Sequence, residues 1–153
     1  MEIEKKLREL GFELPSPPKP VANYIPSVRV GNILFVGGNT GSINGQRKYS
    51  GKVGETVTLD QAYEMARCCA LNHLAFIKVA LGDLDHVERI VKVTGYVNVA
   101  PGFKEMPKVI NGESDLLVTL WGERGQHARA AVGVSSLGGD APVETEVIVQ
   151  VKD

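Results

Sequence analysis

A chain of 153 residues with 43% apolar and 23% charged residues fits one globular domain whose core needs neither disulfide nor metal. Its formal net charge of −1 argues against a nucleic-acid binder, which ordinarily presents a basic face. No run approaches the roughly 20 apolar residues of a membrane span, and the opening Met-Glu-Ile-Glu-Lys-Lys lacks the cationic start and apolar stretch of a signal peptide, so a cytoplasmic protein is expected.

Residues 2 to 10 set Ile3, Leu7 and Leu10 at helical spacing among Glu, Lys and Arg, and Gly11 stops the helix. The charged face of this helix reads as solvated. Leu14 to Pro20 is a stiff proline-rich connector that can be neither helix nor central strand. Residues 1–19 therefore read as an N-terminal helix and connector, and residues 20–153 as the globular domain.

Val28–Val30 and Ile33–Val36 flank Gly31-Asn32, which predicts a hairpin with a two-residue turn, although Asn-Gly is the commoner order. Six glycines between residues 37 and 55, beginning with Gly37-Gly38, predict a loop whose backbone can approach a ligand or another chain. The segment lacks the Gly-Lys-Ser/Thr ending of a phosphate cradle. Thr58 with Gln61 three positions on is a capping box, and it starts a helix that runs to about Leu81 and ends at Gly82. Cys68 and Cys69 fall within that helix; neighbours in sequence rarely reach disulfide geometry, and they read as small buried hydrophobes.

Val87–Val99 interleaves Ile and Val with Lys and Thr, as a long strand does. Pro101, Pro107 and Gly112 interrupt the next stretch, yet Leu116, Leu117, Leu120 and Trp121 support a helix that ends near Gly122. Strands are predicted over Ala128–Ser136 and Val143–Val151. The order of hairpin, helix, strand, helix and two strands packs most economically as an α+β domain, one mixed sheet with both helices on one face. Alternation leaves the other face apolar, and such a face predicts self-association.

His73, His86 and His127 are scattered and form no zinc spacing with the cysteines, so no metal site is expected. Arg129 is different, because it heads the small apolar run Ala130-Ala131-Val132-Gly133-Val134. An arginine entering such a run either pairs with a nearby Glu or Asp or meets an anionic ligand, whose carboxylate its planar fork suits. Glu144 and Glu146 share one face of the last strand. They are either an exposed pair or, if the last two strands form a hairpin around residues 137–142, near the Arg129 strand.

The run from Arg129 through Leu137 to Val143-Glu144-Thr145-Glu146 resembles the C-terminal signature of the reactive-intermediate deaminases, the RidA/YjgF-like family also called endoribonuclease L-PSP. Tyr24, Gly31-Asn32 and the strand into Gly37-Gly38-Asn39 resemble that family's front end in register, so the resemblance covers roughly residues 20–151. Gly138 replaces the usual proline, Ala131 a frequent cysteine, Pro107 a usual asparagine and Ile110 a nearby aromatic. Residues 111–126 have no close counterpart, and the charged N-terminal helix and proline connector resemble a divergent branch of the family.

The resemblance implies a chorismate-mutase-like fold in a homotrimer, with three clefts between subunits. In such a cleft Arg129 would hold the carboxylate of a 2-imino or enamine acid. Backbone groups near Gly37, Gly38, Asn39 and Ala131 would meet the imine, Glu144 would position the attacking water, and Tyr24 would close the site from across the cleft. The products would be a 2-keto acid and ammonium, with no metal or organic cofactor needed. Two alternatives stay open: a non-catalytic trimer that binds a small carboxylate-bearing metabolite, and a ribonuclease, which the net charge disfavours.

Overall fold

The computed structural model describes residues 1–20 and 22–153, and the hairpin turns where the sequence places it. Strands β1 (Ser27–Val30) and β2 (Ile33–Asn39) pair antiparallel with Val30 opposite Ile33, so Gly31-Asn32 is the entire loop. Gly31 has φ +59° and stands first in the turn, where a type II′ hairpin needs a positive φ; this accounts for Gly-Asn in place of Asn-Gly. Gly37, Gly38 and Asn39, expected in a loop, belong to the end of β2.

Helix α2 (Leu59–Leu81) begins on the expected capping box. Thr58 Oγ1 accepts from the Gln61 N–H at 3.1 Å, and Gln61 Oε1 accepts from the Thr58 N–H at 3.0 Å. Strand β3 (Val87–Asn98), helix α3 (Met106–Trp121) and strands β4 (Ala128–Val134) and β5 (Val143–Val151) complete the domain. Pro107 falls in the first turn of α3, where a missing N–H leaves no helical hydrogen bond unmade.

The five strands form one mixed sheet in the order β1-β2-β5-β3-β4. Only β3 and β4 run parallel. The last two strands do not form a hairpin, since β3 lies between them. The reason is α3: a strand–helix–strand run returns the chain parallel to its first strand, so β4 is laid along the outer edge of β3. The chain then crosses to the other side of β3, where β5 pairs antiparallel with it.

Helices α2 and α3 cover one face of this sheet, and Leu34, Val36, Val93, Val97, Val143, Val147 and Val149 are buried beneath them. The alternate positions face outward, leaving Val30, Phe35 and Val132 63%, 46% and 42% exposed. The open apolar face that the alternation predicted is therefore present. A third helix, α1 (Glu2–Glu9), buries Ile3 and Leu7 in the same core, so its apolar stripe is docked while its charged face stays in solvent. Asp85 caps α1 from far along the chain, accepting from the N–H groups of Glu2 at 2.8 Å and Ile3 at 3.0 Å. Among the described residues no helix is long and apolar enough to cross a membrane.

Candidate functional site

A cavity of about 890 Å³ opens where β2 and β5 lose their regular register. Val36 pairs with Val147 and Asn39 with Thr145, so Gly37 and Gly38 together oppose the single residue Glu146. This extra residue is a β-bulge, which bends a strand and re-aims its groups. The bulge brings the backbone against a carboxylate: a Cβ at Gly38 would lie 3.2 Å from Glu144 Oε2. A side chain at Gly38 would require the Glu144 carboxylate to shift by a few tenths of an ångström.

Tyr24, Gly37, Gly38, Asn39 and Glu144, five of the residues nominated from sequence, line this one cavity, and the connector supplies Lys19 and its prolines as a further wall. The Asn39 side chain is committed to the fold. It donates to the Cys69 carbonyl at 3.2 Å and accepts from the Gly41 N–H at 3.0 Å and from Asn72 Nδ2 at 3.1 Å. What Asn39 offers the cavity is backbone.

Glu144 projects from β5 onto the open face, between the buried Val143 and Thr145. Partial burial, and after it the neighbouring Glu146 carboxylate, push its carboxyl above the ordinary glutamate range. Tyr96 donates to Glu146 Oε1 at 3.4 Å. Among the described residues no donor engages Glu144 itself. A half-buried carboxyl with a raised proton affinity and a free oxygen is suited to taking a proton from water.

Arg129 is elsewhere. It pairs in register with Val93 of β3, and Val93 with Val147, which puts it on the helix-covered side of the sheet at the free edge of β4. Its Nη1 donates to Asn111 Oδ1 at 2.7 Å and Ser114 Oγ at 3.1 Å, and its Nη2 to the Pro107 carbonyl at 3.3 Å, all on α3. Three of the five guanidinium N–H groups are thus spent on neutral oxygens, which leaves the Nε–H and one Nη2–H. Among the described residues no carboxylate forms an ion pair with Arg129, so its charge is not neutralised within the chain. Ala131, two positions along β4, is half-buried opposite Gly95.

The α3 side of this arrangement continues to a histidine. Ser114 Oγ lies 2.9 Å from His127 Nε2, and His127 Nδ1 lies 2.6 Å from the Gly125 carbonyl. A carbonyl only accepts, so in the neutral ring the hydrogen is on Nδ1. Nε2 then takes the Ser114 hydroxyl hydrogen, and the Ser114 oxygen is turned to receive Arg129.

Within one chain the cavity that Glu144 lines and the β4 edge that carries Arg129 are therefore separate, with β3 between their strands. Sequence reasoning passed over Asn111 and Ser114 and took His127 only as one of three scattered histidines without zinc spacing. Pro107, Asn111 and Ser114 succeed one another at helical intervals of four and three, which puts them on one face of α3. That face has meaning only once β4 is known to lie beside it. Burial pushes both the Cys68 and Cys69 thiols up, Cys69 the more, so neither is poised as a nucleophile.

Over residues 4–138 the chain matches the family described as "YjgF/chorismate mutase-like, putative endoribonuclease". It is 38% identical to Protein TCP17 of Trypanosoma cruzi over 152 residues, covering 99% of this chain and 95% of that protein. Among crystal structures it is similar to protein Atu1372 of Agrobacterium tumefaciens, at 43% identity and TM-score 0.91, with 99% of this chain and 93% of that chain covered. A Shewanella oneidensis protein superposes with TM-score 0.95 at 29% identity, covering 99% of this chain and 100% of that one. RidA from an Antarctic Psychrobacter shares the fold, with TM-score 0.63, 24% identity, and coverage of 89% and 94%.

Proposed function

This chain belongs to the YjgF/chorismate-mutase-like family, and we propose that it hydrolyses small 2-imino or enamine acids to 2-keto acids and ammonium in clefts between copies of itself. The observation that carries this reading is the state of Arg129. It is a cation steadied by neutral oxygens, with no carboxylate of its own and two N–H groups left over. A substrate carboxylate accepts such a pair of N–H groups bidentately.

The split of the site supports assembly. A cleft that joins the Arg129 edge of one copy to the Glu144 cavity of the next, in a homotrimer, would hold a substrate acid at one end and its imine at the other. Glu144 takes a proton from water as the oxygen bonds to the imine carbon and the C=N π pair moves onto nitrogen. The same carboxyl gives that proton to the nitrogen, takes the hydroxyl proton as the C=O forms and the C–N bond breaks, and hands it to the departing ammonia, so that a protonated imine and one water leave as 2-keto acid and ammonium. The step balances with one water and needs no redox partner.

The test monitors 2-iminobutanoate or 2-iminopropanoate, made in situ by a dehydratase or an amino-acid oxidase. Wild type should accelerate keto-acid release, and Arg129→Ala, checked for unchanged size, should lose about 100-fold in kcat/KM, as expected for a charge-assisted bidentate contact. Equal rates for the two would remove Arg129 from the site. No acceleration by either, with 2-ketobutanoate still bound by wild type alone, would make the protein a carboxylate-binding oligomer instead.

A further inference from the structure

Beneath the cavity lies a pair of titratable residues that the hydrolytic reading does not use. His73 of α2 and Glu113 of α3 are both fully buried, with His73 Nδ1 2.6 Å from Glu113 Oε1. On its other side His73 Nε2 lies 3.2 Å from the carbonyl oxygen of Gly37, in the bulge that lines the cavity. Both neighbours of the ring are oxygens that the geometry uses as acceptors or as the seat of a shared proton. Whether that proton rests on Glu113 Oε1 or on Nδ1, the Nε2 must carry a hydrogen to hold the Gly37 carbonyl. A buried pair of this kind is costly to desolvate and weak evidence for stability, so what it positions is the more telling question.

We propose that His73 and Glu113 are a positioning pair for the reaction at Glu144. The Gly37 carbonyl is turned into the core by His73. The 37–38 peptide is trans, and a trans peptide directs its N–H opposite to its C=O. The Gly38 N–H is thereby aimed to the open face, where the Glu144 carboxylate lies against Gly38. It is the donor for the oxygen that Glu144 deprotonates: it binds the attacking water, then the hydroxyl of the carbinolamine, while Glu144 moves the proton. His73 and Glu113 touch no substrate and act through the peptide. This rests on the proposed hydrolysis.

The test compares two variants of the full-length protein. Glu113→Gln retains the arrangement, because the glutamine amide can donate to Nδ1 while Nε2 keeps its hydrogen; kcat should stay within about threefold of wild type. His73→Leu/Glu113→Leu replaces the pair with apolar side chains and removes the donor to Gly37; kcat should fall about 10- to 100-fold, on the scale of losing an oriented N–H donor. KM should change little, because Arg129 is untouched. A double variant with wild-type kcat overturns the proposal.

Two readouts do not depend on turnover. The Gly38 amide resonance should shift on adding 2-ketobutanoate to wild type and Glu113→Gln, and not in the double variant. In ring-labelled wild-type protein His73 Nε2 should carry a hydrogen, and a bare Nε2 overturns the proposal whether or not the double variant folds. Absence of turnover in wild type would defeat the hydrolytic reading alone, with the Gly38 response still reporting on the pair.

Discussion

Glu144 is kept partly out of water and beside a second carboxylate, and both effects favour its protonated form. Below the carboxylate range the folded and unfolded chains both carry the proton, and the environment of Glu144 has no cost. As the pH rises through the raised folded value, the folded state holds a charge it disfavours, and stability is lost. Glu144→Gln removes that loss. The variant should melt above wild type at pH 7, with the difference closing as the pH falls below about 4. Its turnover should drop by about 10²- to 10⁴-fold, the usual contribution of a positioned base. A variant that is both less stable at pH 7 and fully active would assign Glu144 to structure. Arg129 stood out in the sequence as a charge heading a run of small apolar residues, whereas Glu144, one of an ordinary pair of strand glutamates with Glu146, was singled out by the family resemblance. Asn111, Ser114 and Glu113 carried no such mark. They lie within an ordinary amphipathic helix, and their roles depend on which strand that helix covers.

At the scale of elements, the strongest local chemistry was the most readable. The capping box at Thr58 and Gln61, the positive-φ glycine of the hairpin and the Ile- and Val-rich strands each act within a few residues, so sequence spacing alone located them. The neighbour of β4 was not local. A hairpin between the last two strands was the shorter connection, but α3 made β3-α3-β4 a parallel unit, and β5 took the other edge of β3. The docking of α1 was equally long-range, because its cap, Asp85, is more than 80 residues away. Partial burial would raise the Asp85 pKa, but hydrogen bonds from the Ile3 N–H, the terminal ammonium and the Glu2 N–H outweigh it and hold the carboxyl at about 2. An aspartate so depressed stabilises the fold above its ordinary range, and that contribution is lost as the pH falls from about 4 through 2. Asp85→Asn should therefore lower Tm at pH 7, and the gap to wild type should narrow across that window. A constant gap would mean that the charge of Asp85 is not what secures α1.

For the whole molecule, the decisive fact is that Arg129 and Glu144 do not meet within one chain. Glu144 belongs to a cavity at the bulged end of β2, Arg129 to the free edge of β4, and β3 stands between their strands. The exposed Val30, Phe35 and Val132 give the open face an apolar surface that a second copy can cover. A shared cleft makes a prediction that no single-chain site can satisfy. Arg129→Ala and Glu144→Gln proteins should each keep about 1% of wild-type activity or less. Unfolded together and refolded as mixed oligomers, they should regain activity. A cleft is whole when its arginine comes from a Glu144→Gln chain and its glutamate from an Arg129→Ala chain; with equal, random mixing in a cyclic assembly that is about one cleft in four. If both residues served one site within a chain, every site in the mixture would carry one defect, and mixing would restore nothing. Recovery of about a quarter of wild-type activity, absent when the two proteins are mixed without unfolding and subunit exchange is slow, would establish that the working site is built from two copies.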